Sequence, residues 1–521
     1  MYSKVDTKGL FMPAAMFVYA ALVAFSYLFE TDPYLWFDEA GQFWISKGLN
    51  HDSAPLSAFG SLPDVVRNNS GYNLDPGGFS VLLHFWSKVS GGYMWLRLLP
   101  FTFFALTVAA FVRLFHQWSG SKLVAALAGF VPFVTPLVYK EAFEIRAYSM
   151  EVFGVLVAVM AAQGLRGRMD AKRLFLWSCA LSFFMTSRYS FSVVAFATST
   201  YILYLLFKSQ ATPRGKIAGF AAFALPMLVT LGLVYFYSLR FQNPGVRTPE
   251  YLTSLREYPM ALFSYPLYLL CLVVLAYIAV AFRNTAMVRK HAHLFYITLA
   301  TNLLFLVLSF LGKHPWAVDE QRGLAFTTLP VVSYAAVFAE FLRYVPGRFN
   351  AKYVLLAAVC AAFGEKHIGD ISSSRHRDDG LTQMKSIQPV SGKVFVDRWE
   401  SPCMRYQYEY GALKGCGGYP GNFHFMTATK HGYGNGPQPS LKGLYSGLTL
   451  ANGDFGDYSV LACPEYNRYE GVDDSVWMPV GGEKVIWVKR DGVLAKRIKE
   501  GSNGKNQVVH RNAGLQRGRK H

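Results

Sequence analysis

Long apolar runs recur from the N-terminus to about residue 364, and they constrain the fold more than any other feature of the chain. Each run has about 15–22 residues, close to the length with which a helix crosses a bilayer. Of the 521 residues, 52% are hydrophobic and only 16% are charged, whereas soluble domains carry about 25% charged residues. The sequence therefore predicts a mainly α-helical, polytopic membrane protein.

We expect about eleven transmembrane helices from the length of the runs. The predicted spans are 10–29, 97–115, 122–138, 149–163, 174–187, 189–207, 218–238, 261–282, 294–311, 323–342 and 351–364. Lys4 and Lys8 precede the first run, as in a signal peptide. That run is longer than a signal-peptide core and no small-residue cleavage site follows it, so we interpret it as a retained span.

The formal net charge of +18 is concentrated in short loops on one side of the predicted bundle. Such a bias marks cytoplasmic loops and argues against a nucleic-acid partner. Only Asp6 and Asp170 oppose it in this loop set. An internal N-terminus and eleven spans place the C-terminal part outside. The basic residues concerned are Lys4, Lys8, Arg113, Lys122, Arg166, Arg168, Lys172, Arg173, Lys208, Arg214, Lys216, Arg283, Arg289, Lys290, Arg343, Arg348 and Lys352.

The first loop of the opposite set, residues 30–96, is long and acidic. It contains two amphipathic pieces, at about 39–48 and 77–89, with aromatic residues and leucine on one side of the second piece. Both are too short to span the bilayer. This pattern predicts helices that lie in the membrane interface.

Beyond residue 365 the composition becomes that of a soluble protein. Segments 393–397, 458–462 and 484–488 have the pattern of strands. We therefore predict a transmembrane domain at 1–364 and a small C-terminal extracytoplasmic α/β domain at 365–495. Residues 496–521 form a basic tail without apolar periodicity, which predicts disorder.

Charged residues gather at the ends of the spans on the predicted outer side. Snorkelling explains isolated lysines and arginines there without any function, but carboxylates gain nothing comparable. We therefore expect a polar cavity that holds a phosphate between arginines and a hydroxyl beside a carboxylate. The residues at these ends are Asp38, Glu39, Lys140, Glu141, Glu144, Arg146, Arg188, Arg240, Lys313, His314, Asp319, Glu320 and Arg322.

Four motifs, in order, resemble those of a known family over about residues 5–345. They are Trp36-Phe-Asp38-Glu39, Asp75-Pro76-Gly77-Gly-Phe79, Leu96-Arg97-Leu-Leu-Pro100 and Glu144-Ile-Arg146-Ala-Tyr148-Ser-Met. This layout resembles the GT-C-fold glycosyltransferases, in particular the branch with protein O-mannosyltransferases and the lipid A aminoarabinose transferase. Gly77 stands where the family often has a second proline, and Phe143 stands where a basic residue often precedes the glutamate.

The resemblance implies an enzyme of the EC 2.4 class that transfers a sugar from a polyprenyl-phosphate-linked donor to a lipid, polysaccharide or protein acceptor. Because a phosphate leaves without help from an acid, one general base is sufficient, in contrast to the two carboxylates of glycosidases. Asp38 is the candidate base, and inversion at the anomeric carbon would follow. Glu39 is a supporting catalytic candidate, with helix N-capping as the alternative. Glu144 is the second acidic candidate, with an ion pair to Arg146 as its alternative.

The resemblance also suggests where donor and acceptor bind. Arg322 and Arg188 are the first candidates for the donor phosphate, because guanidinium groups match phosphate oxygens. The other phosphate candidates are Arg146, Arg240 and Lys313. Candidates for the acceptor or sugar pocket are Trp36, Tyr148 and His314. Packing is the alternative for Tyr148, and a hydrogen-bonded loop position is the alternative for His314.

No ligand spacing in the sequence indicates a metal site, so no cofactor is assigned and a divalent metal is left open. The implied location is the inner membrane of a bacterium, with the N-terminus in the cytoplasm and the active site outside. Two other classes of protein remain. A transporter or flippase of a lipid-linked glycan would show paired halves with interrupted helices, and a receptor-like scaffold would tolerate the loss of Asp38.

Overall fold

The chain forms two compact units. In a computed structural model, the described residues are 20–28, 34–48, 59–73, 75–167, 169–241, 259–262, parts of 267–278, 285–314, 323–344, 381–396, 400–417, 423–425, 458–462, 475–480 and 486–498. The first unit takes its residues from 1–31, 61–90 and 94–375. The second unit takes its residues from 32–60, 91–93 and 376–521.

Helices dominate the described residues. In chain order they are α1 Phe37–Ser46, α2 Leu62–Tyr72, α3 Gly78–Ser87, α4 Tyr93–Ser119, α5 Lys122–Ala128, α6 Val131–Val134, α7 Pro136–Lys140, α8 Tyr148–Gly164, α9 Ala171–Met185, α10 Tyr189–Lys208, α11 Pro213–Tyr237, α12 Thr285–Phe310, α13 Leu324–Tyr344, α14 Leu381–Ser386 and α15 Ser401–Glu409. Residues 20–28 are also helical. The two predicted amphipathic pieces are present as α1 and α3, whereas α2 was not predicted.

Four of the described helices, α4, α10, α11 and α12, are long and apolar enough to cross a membrane. A fifth span is formed if Val124–Phe133 and Leu137–Phe143, bent by 70°, count together. The protein is thus a mainly helical integral membrane protein. The count of eleven spans stays a prediction, because only four or five of the described helices are long and apolar enough. The last predicted span lies outside the described residues, and only part of the first lies inside.

The predicted span at 122–138 is divided into α5, α6 and α7. Pro132 lies in the first turn of α6, and Pro136 begins α7 after an extended Thr135. Proline lacks the amide hydrogen of a continuous helix and clashes with the preceding turn. The apolar composition alone gave no sign of this interruption.

The core of the first unit lies around α8. This helix contacts α9, α10, α12 and α13, and its residues from Val155 to Ala162 are almost all buried. In contrast, only 17% of the apolar stretch of α11 is buried. An apolar helix that leaves most of its surface uncovered fits contact with lipid.

A five-stranded sheet lies in the second unit. Its strands are β1 Lys393–Val396, β2 Phe423–Phe425, β3 Tyr458–Ala462, β4 Trp477–Pro479 and β5 Ile486–Lys489, in the order β2-β1-β3-β5-β4. β1 pairs in parallel with β2 and β3, whereas β5 is antiparallel to β3 and β4. Val394, Leu461 and Trp487 are buried in the sheet. The domain limits and the disorder of the tail stay predictions, since many of these residues lie outside the described ranges.

Candidate functional site

Asp38 and Glu39 lie in the first turn of α1, in the second unit. The backbone N–H of Trp36 donates to Glu39 Oε2 over 3.4 Å, and Glu39 is only 1% exposed. This geometry is that of a carboxylate at a helix N-terminus, where the helix dipole favours negative charge. Asp38 is half-buried on the same turn. Glu39 is therefore engaged by the backbone at the beginning of its own helix.

A second group of charged residues lies in the first unit and is centred on Arg188. Arg188 Nε is 3.3 Å from Asp75 Oδ1, and Nη1 is 3.1 Å from Glu151 Oε2. Ser190 Oγ donates a hydrogen bond to the other oxygen of Glu151. The side chain of Glu151 is 0% exposed and that of Arg188 is 11% exposed. The single guanidinium of Arg188 thus lies between two carboxyl groups at a largely buried position.

Tyr148 packs beneath two of the predicted arginines. The guanidinium carbon of Arg188 is 4.5 Å from the centroid of the Tyr148 ring, and that of Arg146 is 5.7 Å away. The same ring belongs to a buried apolar cluster with Val152 and Leu324. Arginine over an aromatic face is a favourable arrangement. The structure thus brings Arg146, Tyr148 and Arg188 together, with Tyr148 in a packing position.

Glu144 lies beside a second acid, Glu141, which begins a short 3₁₀ turn before α8. Glu141 is fully buried and Glu144 is 8% exposed. Lys140, Glu144 and Arg146 are the electrostatic neighbours of Glu141. Ser149 Oγ fixes the turn by donating to the backbone carbonyl of Glu141 over 3.0 Å. Two acidic and two basic side chains therefore lie close together just before α8.

Several hydrogen bonds fix the segment that precedes α3. Asn69 Nδ2 donates to the Asp75 carbonyl over 2.8 Å, and Ser80 Oγ donates to Asn69 Oδ1 over 2.7 Å. The backbone N–H of Gly78 donates to the Thr186 carbonyl over 2.9 Å. Gly77 adopts a φ of 99°, which proline cannot reach. The glycine that departs from the family pattern therefore has a local structural reason.

The remaining predicted site residues lie at other places. Arg240 is exposed and stacks against Phe241, 4.5 Å from its ring centroid. Lys313 is exposed, and His314 packs against Phe305 with 4.9 Å between ring centroids. Arg322 lies outside the described residues, and Trp36 precedes α1 in the second unit. The roles assigned to these residues stay predictions.

Sequence reasoning assigned no role to Asp75, Glu141 or Glu151, although it placed Glu141 among the charged residues at the span ends and Asp75 in a motif. For Glu151 a signal existed, because it is the single carboxylate in the predicted span 149–163. A charge in such a run faces the interior and finds a partner. Among the described residues, no group of three or more histidines, cysteines or carboxylates is arranged to hold a metal ion.

These observations define a class of fold: a mainly helical integral membrane protein with buried acids and arginines at the ends of its helices. Known structures have a similar overall fold. ArnT from Cupriavidus metallidurans bound to undecaprenyl phosphate matches with a TM-score of 0.53 and 10% identity, over 92% of this chain and 98% of that chain. Its apo state matches with a TM-score of 0.53 and 11% identity, over 91% and 97%. No family model and no curated protein sequence matches.

Proposed function

We propose that this protein transfers a monosaccharide from a polyprenyl-phosphate-linked donor to an acceptor of the cell envelope. The observation that carries the proposal is the fold likeness to ArnT over 92% of the chain, since one ArnT structure holds undecaprenyl phosphate. The second support is the position of Asp38, at the beginning of an ordered helix. The acceptor is a hydroxyl of a lipid, a polysaccharide or a protein.

The donor has an apolar polyprenyl chain and a phosphate, so its binding needs a membrane-exposed groove and basic groups. In the proposal α3 forms one wall of this groove. Arg146, Arg240, Lys313 and Arg322 are the candidates for the phosphate. Arg188 remains a candidate by residue type, but two of its guanidinium nitrogens already contact carboxylates. We therefore assign it first to the support of the site.

The reaction follows from the chemistry of the leaving group. Asp38 removes the proton of the acceptor hydroxyl, and the oxygen attacks the anomeric carbon from the side opposite the phosphate. The bond from the anomeric carbon to the acceptor oxygen forms as the bond to the phosphate oxygen breaks. The products are an inverted glycoside and polyprenyl phosphate. A phosphate monoester departs as a stable anion, so no general acid is required.

The other residues have supporting roles in this scheme. Glu144 orients the acceptor, Glu39 orders the turn that carries Asp38, and Trp36, Tyr148 and His314 contribute to the acceptor or sugar pocket. The reaction takes place on the extracytoplasmic face of a bacterial inner membrane, with the N-terminus in the cytoplasm. The bias of basic residues toward one set of loops supports this orientation.

The first prediction concerns the base. Asp38→Asn keeps the shape of the side chain but removes its basicity, so transfer from a polyprenyl-phosphate sugar should fall by about 10²–10⁴-fold, the usual contribution of such a group. The measurement is the initial rate of glycoside formation by the full-length protein in membranes supplied with the donor lipid and an envelope extract. Asp491→Asn is the matched control, since Asp491 is an exposed acid of the same unit.

Two results would contradict the proposal. Full activity of Asp38→Asn would remove Asp38 as the base. Movement of the intact lipid-linked sugar across the bilayer, dependent on this chain and without glycoside formation, would assign the protein to the transporters instead.

A further inference from the structure

We propose that the segment 402–410 positions the helix that carries Asp38, so that the C-terminal part of the chain contributes to the geometry of the active site. This inference rests on the proposed function and adds a role for residues that the scheme above does not use. Tyr410 and Tyr406 are the positioning residues. These tyrosines and their partners on α1 all belong to the second unit.

The buried face of α1 rests on α15. Trp44 Nε1 donates to the Pro402 carbonyl over 3.0 Å. Phe43 meets the rings of Tyr406 and Tyr410 edge to face, with 5.3 Å between centroids in both cases. Phe43, Trp44 and Tyr406 are 0% exposed. Edge-to-face aromatic pairs are worth more than their buried area alone, so this face has a defined geometry.

The C-terminal end of α1 is fixed by a buried lysine. Lys47 is 0% exposed, and its Nζ donates to Tyr410 Oη over 2.5 Å. The same Nζ lies 4.9, 5.5 and 5.2 Å from the ring centroids of Tyr410, Trp44 and Phe59. Burial lowers the pKa of Lys47, while Glu409 acts in the opposite direction. Three aromatic faces and a phenol oxygen thus offset part of the cost of burying an ammonium group.

Gly91, from a third segment of the chain, contacts both Tyr406 and Tyr410. Tyr406 Oη donates to the Gly91 carbonyl over 2.8 Å. A Cβ atom at Gly91 would lie 2.4 Å from Cδ1 of Tyr410, so only glycine allows this approach. The ring of Tyr410 is therefore confined between Gly91 and the aromatic face of α1.

Helix α1 depends on these contacts because it is short. It has 10 residues, fewer than the roughly 12–15 that an isolated helix needs to be even marginally stable in water. Its stability and direction must therefore come from packing. Asp38 lies one to two turns before Phe43 and Trp44 on this helix, and misplacement of a catalytic group by about 1 Å costs about 10²-fold in rate. Loss of the contacts between α1 and α15 should therefore displace Asp38.

The test uses the full-length protein with the variants Tyr410→Phe, Tyr410→Ala and Trp44→Phe. Tyr410→Phe removes only the oxygen that faces Lys47, whereas Tyr410→Ala removes the ring as well. Tyr204→Ala is the control, because Tyr204 is 55% exposed on α10. Amide hydrogen exchange of the peptide covering 36–47 reports on the helix without any need for activity.

We expect exchange in 36–47 to accelerate by about tenfold or more in Tyr410→Ala, since local opening free energies follow the contacts that hold a segment. Exchange in α10 should stay unchanged. Transfer by Tyr410→Ala should show kcat reduced by about 10²-fold with the donor KM changed far less, because orientation of the base is lost and donor binding is kept. Tyr410→Phe should give a smaller effect in the same direction.

Unchanged exchange in 36–47 for both Tyr410→Ala and Trp44→Phe would overturn the positioning role. Accelerated exchange with undiminished transfer would overturn its link to catalysis. The proposed function fails separately, if the unaltered protein forms no glycoside from any polyprenyl-phosphate sugar while exchange in 36–47 still responds to Tyr410→Ala.

Discussion

The residues that contact the Arg188 guanidinium determine its role. Its guanidinium lies between Asp75 and Glu151 and rests on the ring of Tyr148. An arginine with free donors would suit a phosphate, whereas an arginine engaged by two carboxylates holds protein segments together. Here it joins the loop before α3, the first turn of α8 and the beginning of α10.

This arrangement predicts a strong response to the loss of one charge. Glu151→Leu should lower the free energy of unfolding by about 1.5–3 kcal/mol, because it removes the buried carboxylate that accepts hydrogen bonds from Arg188 and Ser190. The double variant with Arg188→Met should cost less than the sum of the single changes, since the residues are in direct contact. Denaturant titration in detergent micelles gives both values.

Arg173→Met provides the matched control for the buried network. Arg173 pairs with Asp170 at the beginning of α9, but the two side chains are 45% and 53% exposed. Such pairs contribute about 0–1 kcal/mol. Strict additivity of Glu151→Leu and Arg188→Met would mean that the two side chains do not interact in the folded protein.

At the scale of elements, α3 is defined by the residues that precede it. Gly77 caps this helix with a left-handed backbone, and the next residue approaches the loop that leads into α10. A Cβ at Gly78 would lie 1.9 Å from Thr186 Oγ1. The pair of glycines therefore sets where the helix begins and how closely it approaches its neighbour.

Substitution of Gly77 should consequently destabilise this part of the protein. Gly77→Ala forces a side chain into the left-handed region, at about 1–2 kcal/mol, and its Cβ would lie 2.9 Å from Asn69 Nδ2. Gly77→Pro should cost more, because proline fixes φ near −65°. Hydrogen exchange of the peptide covering 73–87 is the measurement, and both variants should accelerate it.

Gly232→Ala is the control for Gly77. Gly232 lies inside α11, and nothing within 4 Å would meet an added Cβ. Alanine is the better helix former, so this change should be neutral or stabilising. An equal response of Gly77→Ala and Gly232→Ala would show that the left-handed backbone at Gly77 carries no cost.

At the scale of the whole molecule, the basic loops predict one orientation in the membrane. Residues 67 and 210 are separated by five predicted spans and should lie on opposite sides. Both are exposed. In Gln210→Cys the new thiol should react with a membrane-impermeant maleimide only from the cytoplasm, and in Arg67→Cys only from outside.

The control is the unaltered chain, because its native cysteines give the background level of maleimide labelling. Labelling of both positions from the same side would mean that an even number of spans separates them. In that case the predicted topology, and with it the outer location of Asp38, would be wrong.

Local sequence determined the membrane helices of this protein. A bilayer leaves no partner for free backbone groups, so long apolar runs favour helices, although prolines interrupt the run at 122–138. The run at 189–207 became α10 with nearly the same limits, and the run at 97–115 lies inside the longer α4. The same local logic predicted the amphipathic α1 and α3, since a 3.6-residue period is a property of neighbouring residues.

Tertiary structure decided which charged residues meet. Asp75 and Arg188 are 113 residues apart, and the indole of Trp44 bonds to a carbonyl 358 residues away. Periodicity and motifs describe a chain only over short distances, whereas these contacts depend on how whole helices pack. The sequence by itself therefore determined that acids and arginines would lie at the ends of membrane helices. Only the folded chain decided that Arg188 holds two carboxylates and that residues 402–410 hold the helix of Asp38.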